Sequence, residues 1–416
     1  MKPVPFLLLA LSVSLACALF STSLAEIEEF EFIESVPVET TLDNEHIRNT
    51  YDVWLEMIEG ARSKLDFEQF YVSDAPGEPL EDIVAAIVRA ADTGVRVRFI
   101  VDSRMYETYP ERLDWLGEQQ NIEVRTIDMR NIAGGAMHAK YFIVDGEEIF
   151  LGSQNFDWRA LKHIHEMGCR VKSQTLAEVF LDLFELDWQL AEEGTKDAGA
   201  VGAALEQYCL PMCGVARVPL GGGAFRLDSL EVWPVYSPAG LIPDERLWDE
   251  NAIVALVADA LEEVLVQLLS YSSVERGGYY EVLESALRGA AARGASVKLI
   301  VSDWSKRSPD IDCLKSLQAF PNVEVKLSTV PEWSGGFVPY ARVEHCKYMV
   351  VDGKMFWLGT SNWKKNYFHE GRNVGLLVKS TGLSGTLRDV FYKSWNSEYT
   401  YPVKLDEVYV PPKTSE

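Results

Sequence analysis

The chain has 416 residues, 63 acidic side chains against 39 Lys plus Arg, a formal net charge of −24 and a pI near 4.7. That length accommodates two or three domains with a sizeable core, and 47% hydrophobic with 25% charged residues excludes wholesale disorder. The acidity excludes a protein that coats duplex DNA non-specifically, because counterion release needs many exposed cations.

Residues 1–25 read as a secretory leader. Lys2 supplies a short basic start, and the apolar run from Val4 to Leu15 is too short to span a bilayer comfortably. Ser23 and Ala25 are the small residues of a cleavage site, with Ala16-Cys17-Ala18 as a second possibility. Cleavage after Ala25 removes Lys2 and takes the net charge from −24 to −25. No later stretch reaches membrane-span length, so the expectation is an exported, soluble protein in a secreted, periplasmic or organelle-lumen setting. Five cysteines follow the leader: Cys169, Cys209, Cys213, Cys313 and Cys346. An odd count leaves at least one thiol unpaired. Cys209 and Cys213 could close a small loop or remain buried free thiols, and as half of a zinc site they lack a second ligand pair.

The rest of the chain is one unit written twice. The strand-like run KLDFEQFYV at 64–72 returns as VLVQLLSYS at 264–272. An amphipathic helix closed by Gly94 and followed by a strand, at 80–104, returns at 280–304 with Gly294. NIEVRTI at 121–127 returns as NVEVKLS at 322–328, and each copy then reaches a Gly-Gly loop, Gly134-Gly135 and Gly335-Gly336. Alternating strands and helices predict two tandem α/β units, mixed sheets flanked by helices, packed about a pseudo-two-fold axis. The expected boundaries are a leader at 1–25, a first half at 26–190, an Ala- and Gly-rich linker at 191–225 and a second half at 226–416.

Each half ends in the same construction, MHAKYFIVDGEEIFLGSQNFDW at 137–158 and EHCKYMVVDGKMFWLGTSNWKKNYF at 344–368. The shared pattern is H-x-K-x-x-x-x-D, filled by His138, Lys140 and Asp145 and by His345, Lys347 and Asp352. His and Lys two apart on a strand project from the same face. Each Asp precedes a Gly at the turn into the next strand. That strand ends in a Gly turn presenting Ser153 and Asn155 in one copy, Thr360 and Asn362 in the other, the expected substrate-binding groups. An acid follows in both, Glu166 in HIHEMG and Glu370 in FHEGRN. Brought together, the two copies would hold one phosphodiester. One imidazole attacks phosphorus and the other protonates the leaving oxygen. The lysines and asparagines would balance charge on the non-bridging oxygens, and Glu166 and Glu370 would orient the rings. This scheme needs no metal and no cofactor.

The doubled H-x-K-x-x-x-x-D with its trailing G-S/T-x-N resembles the phospholipase D superfamily, over residues from about 45 to 400. GTSNWKKNYF and LGSQNFDWRAL are similar to the branch that holds the lysosomal phospholipase-D-like single-strand 5′ exonucleases and their poxvirus homologues. The resemblance implies a metal-independent phosphodiesterase with His138 as nucleophile and His345 as acid and base. The sequence departs from the branch where Lys364-Lys365 replaces the usual Ser-Gly after the Trp.

Two further features bear on substrate. From Arg342 to Lys379, seven basic residues face three acids, a local +4 that suits an anionic ligand. Trp158, Trp333, Tyr340, Trp363, Tyr367 and Phe368 cluster near the motifs, as base-stacking platforms or as core. His163 and His165 could mimic a metal pair but lack further ligand spacing, so surface or supporting positions are expected. The expected partners are single-stranded nucleic acid or a phospholipid headgroup. The duplication makes a dimer unnecessary for completing the site.

Overall fold

In both halves the apolar periodicity of the sequence is satisfied by the same succession of strands. The computed structural model describes residues 27–193 and 212–415, apart from 221–222, 243–244 and 277. In the first half Ile122–Ile127, Arg96–Asp102 and Lys64–Gln69 lie parallel side by side. Lys140–Val144, Glu148–Gly152, Ile164–Lys172 and Glu29–Ser35 continue the sheet antiparallel. The second half repeats this order, with Val323–Ser328, Ser296–Ser302 and Glu263–Leu268 parallel, then Tyr348–Val351, Met355–Gly359, Asn373–Lys379 and Phe225–Ser237.

The crossover helices form where the spacing placed them. Leu80–Asp92 buries Leu80, Ile83, Val84, Ile87, Ala90 and Ala91 along one stripe, and Val282–Ala292 buries Leu283, Leu287, Ala290 and Ala291. Each fully buried Leu or Ile contributes about 1.5–3 kcal/mol. Gly94 and Gly294 follow these helices at φ 102° and 104°, a left-handed conformation that a β-carbon would strain. Helices Gln174–Glu193 and Thr381–Trp395 lie on the other side of the sheets and share one central core. Phe180 and Phe184 there join Tyr141 and Leu151 of the first half and Tyr348, Phe356, Leu387 and Phe391 of the second. Two outer cores, one around Trp54, Phe67 and Phe99 and one around Val266, Leu287 and Leu327, complete the halves.

The halves also join through backbone. Ile164 and His165 pair in parallel with Val343 and Glu344, and Met137 forms the matching bridge to Arg372. The Gly-Gly loop of the first half makes this approach possible: Gly135 N–H donates to the Glu370 carbonyl at 3.1 Å, and a β-carbon there would lie 2.5 Å from the Glu370 backbone.

The leader, residues 1–25, lies outside the described residues, as does 194–211 of the stretch read as a linker. The remainder of that stretch differs from the expectation. Met212–Pro219 is a strand, antiparallel to Phe225–Ser237 and touching the first half where Arg217 pairs with Glu29. It forms a hairpin with the strand that follows, and its short alternation within an Ala- and Gly-rich stretch concealed it. Cys169, Cys313 and Cys346 are buried free thiols, and Cys209 lies outside the described residues. Among the described residues, no helix is long and apolar enough to cross a membrane.

Candidate active site

The alternation of the two motif segments sets the first geometry of the site. His138 and Lys140 enter strand Lys140–Val144, His345 and Lys347 enter Tyr348–Val351, and in each the intervening residue, Ala139 or Cys346, turns into the core. The two lysines are fully buried, and the two imidazoles are each 7% exposed. Lys140 Nζ donates to the His138 carbonyl at 2.9 Å and Lys347 Nζ to the His345 carbonyl at 2.7 Å. Each ammonium is thereby fixed beside its own histidine.

Each ring is held by the opposite half. His345 Nδ1 lies 2.7 Å from Glu166 Oε2, and His138 Nδ1 lies 3.0 Å from Asn373 Oδ1. Asn373 Nδ2 donates to the Tyr367 carbonyl at 2.8 Å, which aims Oδ1 at the ring, and the Thr360 hydroxyl donates to the same oxygen at 3.0 Å. His138 therefore carries its proton on Nδ1 and presents a lone pair on Nε2. Ser153 is the counterpart of Thr360 and donates to Glu166 Oε2 at 2.6 Å. Ser153 and Thr360, expected to bind substrate, are instead fully buried supports of the two orienting groups.

The orienting role expected of Glu370 belongs to Asn373. Glu370 pairs with the exposed Arg276 at 3.0 Å. Gly168 pairs with Gly152 as Gly375 pairs with Gly359, so Glu166 and Asn373 hold equivalent positions in the two sheets. Matching the copies on their His-Glu dipeptides is therefore three residues out of step. The shared residue-x-Gly spacing, Glu166-Met-Gly168 and Asn373-Val-Gly375, is the signal that would have found Asn373.

Asp145 and Asp352, the acids of the two motifs, stand apart from the histidines. Each sits in the left-handed region, at φ 55° and 53°, at the far end of the strand from its histidine, about 20 Å along extended backbone. Asp145 accepts N–H groups of Arg62, Ser63 and Lys64, and Asp352 those of Leu261, Glu262 and Glu263. Asn155 and Asn362 do lie in buried positions at the turns after their strands, with side-chain carbonyl oxygens that no protein group satisfies among the described residues. Phe70 and Tyr367 flank His138, with ring centroids at 4.8 and 5.0 Å.

Burial dominates the electrostatics. It drives both imidazoles well below the ordinary histidine value, reinforced by the two lysines. Burial also pulls the Lys347 ammonium down to about 8, with Glu166 opposing the shift, and pushes the Glu166 carboxyl up to about 8, with Lys347 opposing. Near neutral pH one proton is thus shared along the Glu166–His345 contact, while His138 rests as neutral imidazole on a neutral amide. The pair of rings is chemically unequal.

Behind the site, Arg372 and Asp187 form a fully buried pair at 2.7 Å between the halves, and His165 and Glu344 another at 2.7 Å. His165, Glu344 and Cys346 are also the described residues whose ligand atoms come within 4.8 Å of one another, but the ion pair already occupies the first two. Of the two placements expected for His163 and His165, surface or supporting, the structure has the second: both are wholly buried. His163 packs between Trp158 and Trp333, at 5.6 and 4.9 Å, which with nearby cations pushes it down to about 4. Of the clustered aromatics, Trp363 and Phe368 are core, and Tyr340 is half exposed.

The family described as "Cardiolipin synthase, PLD-like domain" matches residues 54–188 and 254–395, one segment in each half. The chain is 32% identical over 389 residues to a virion nicking-joining enzyme of vaccinia virus (strain Western Reserve), covering 88% of each. It is 29% identical over 398 residues to phospholipase D Z of Dictyostelium discoideum, covering 90% of each. With a 5′-3′ exonuclease PLD3 of Bos taurus it shares 28% over 404 residues, covering 90% of this chain and 80% of that one. Among solved structures, a phosphatidylserine synthase of Haemophilus influenzae Rd KW20 has the same fold, with a TM-score of 0.61, 15% identity and 85% of each chain covered.

Proposed function

The chain belongs to the PLD-like domain family, and from that premise we propose that it is a phosphodiesterase acting on single-stranded nucleic acid through a phosphohistidine. The observation that carries the mechanism is the inequality of the two histidines. His138 Nε2, a lone pair held by Asn373, attacks phosphorus and forms an N–P bond as the P–O bond to the leaving group breaks. His345, backed by Glu166, gives its proton to that oxygen. Water then attacks phosphorus, the N–P bond breaks, and His345 takes the water's proton. Lys140, Lys347, Asn155 and Asn362 balance charge on the non-bridging oxygens, most strongly in the pentacoordinate transition state. These side chains perform the work without a metal or cofactor.

Two observations support nucleic acid. The relatives include a nicking-joining enzyme and an exonuclease. In addition, two strongly exposed leucines lie away from the histidines. Leu227 is ten residues, about 33 Å of strand, from Ser237, which pairs with Asn373, and Leu261 sits beside Asp352 at the far end of its strand. A phospholipid substrate is the second reading, favoured by the Dictyostelium relative. The proposed location is an exported compartment, reached by the 1–25 leader.

Labelled single-stranded DNA, duplex DNA and phosphatidylcholine vesicles, each incubated with the protein in EDTA, test the reading. Turnover of single strands is expected, with an acid-labile, base-stable phosphoprotein on rapid quench that His138→Ala lacks. Strict metal dependence, or full activity of His138→Ala, overturns the mechanism; turnover of vesicles alone overturns the substrate.

A further inference from the structure

We propose that Tyr109, Arg112 and Trp115 form a nucleobase-stacking subsite on the first half, which takes a base of the single strand a few nucleotides from the bond that is cut at His138. This rests on the nucleic-acid reading above. Ring contacts lead there from the nucleophile: Phe70 lies 4.8 Å from His138, Tyr71 lies 5.5 Å from Phe70, and Tyr109 stacks on Tyr71 at 5.2 Å and 26°. Beyond Tyr109 opens a cavity of about 280 Å³, with Ser73, Asp74, Glu111, Arg112 and Trp115 in its wall.

The wall is built in the way that single-strand binding requires. Helix Glu111–Gly117 buries Leu113 and Leu116 but leaves the Trp115 indole 40% exposed. The Arg112 guanidinium lies 5.2 Å from the indole centroid and is anchored at 2.8 Å by Asp74, itself held by the Ala75 N–H. Aromatic faces and a fixed guanidinium plane are the surfaces on which unstacked bases settle. The charge in the wall selects the occupant. Asp74 and Glu111 outnumber Arg112, so a phosphate is disfavoured, and the same polar groups disfavour an acyl chain. A neutral, planar, polar-edged base fits both conditions.

The test compares kcat/KM on a twelve-nucleotide single-stranded DNA with kcat/KM on bis(4-nitrophenyl) phosphate, which is too small to reach the subsite. Trp115→Ala is expected to lower the ratio of the two roughly tenfold, and Trp115→Phe to restore most of it. In the wild type, an abasic site scanned along the oligonucleotide should reproduce that loss at one position and add nothing to Trp115→Ala. Single-strand cleavage with an unchanged ratio, or losses that add at every position, overturns the subsite alone. A wild type that hydrolyses phosphatidylcholine vesicles and leaves single-stranded DNA intact overturns the nucleic-acid reading and the subsite with it.

Discussion

Asn373 and Glu166 occupy one sheet position in two copies, and the difference of a single functional group separates an amide from a carboxylate. That difference makes the pH dependence testable residue by residue. The acid-side limb of kcat/KM reports protonation of His138, which burial places well below the ordinary histidine value. Asn373→Asp puts a carboxylate beside the ring and favours imidazolium, so the limb should move up by about one unit or more. An unmoved limb would deny His138 the nucleophile's role. On the alkaline side, the proton held by Glu166 and His345 is present below about 8 and lost above it. Glu166→Gln leaves His345 to hold the proton alone, at its depressed value, so the alkaline limb should fall below neutrality and kcat should drop roughly 10²–10⁴-fold. Rapid-quench kinetics from pH 4 to 9 measure both effects.

The strand with its terminal turn is the unit that carries each motif, and it explains why an Asp recurs without touching the chemistry. Asp145 and Asp352 each collect backbone N–H groups from the start of the neighbouring strand, tying hairpin to parallel sheet. Replacing either by Ala strands those donors and sets a β-carbon without the local hydrogen bonds in a left-handed position. A loss of about 2–3 kcal/mol is expected in urea unfolding, while the rapid-quench phosphoprotein still forms. Their carboxyls are held below the usual carboxylate value, burial being offset by the accepted N–H groups. For such groups the stabilisation is present above the unfolded value near 3.9 and is lost as pH falls through the lower folded value. The gap in stability between wild type and Asp145→Ala should therefore close only below about pH 4. A gap constant down to pH 2 would contradict the clamp.

At the scale of the molecule, the two halves are bound by a shared core and by buried ion pairs. Arg372 donates to Asp187 from the other half, and its backbone holds Ala136 and His138. Arg372→Ala should cost about 3–5 kcal/mol by leaving the Asp187 carboxylate buried and unpaired. The double variant Arg372→Met with Asp187→Leu should recover much of that stability in calorimetry, and its failure to do so would point to packing. The sequence by itself determined the duplication, the α/β order of each half and the paired H-x-K segments. Periodicities of 3.6 and 2 and a two-residue spacing are local properties, written wherever a helix or strand must bury one face. The tertiary structure alone decided that Asn373 rather than Glu370 orients His138, that Ser153 and Thr360 are supports, that Asp145 and Asp352 are clamps, and that Met212–Pro219 joins the sheet. Each of these is settled by a partner 6 to 235 residues away, and hydrogen-bond satisfaction between such groups is not set by the periodicities that mark a helix or a strand.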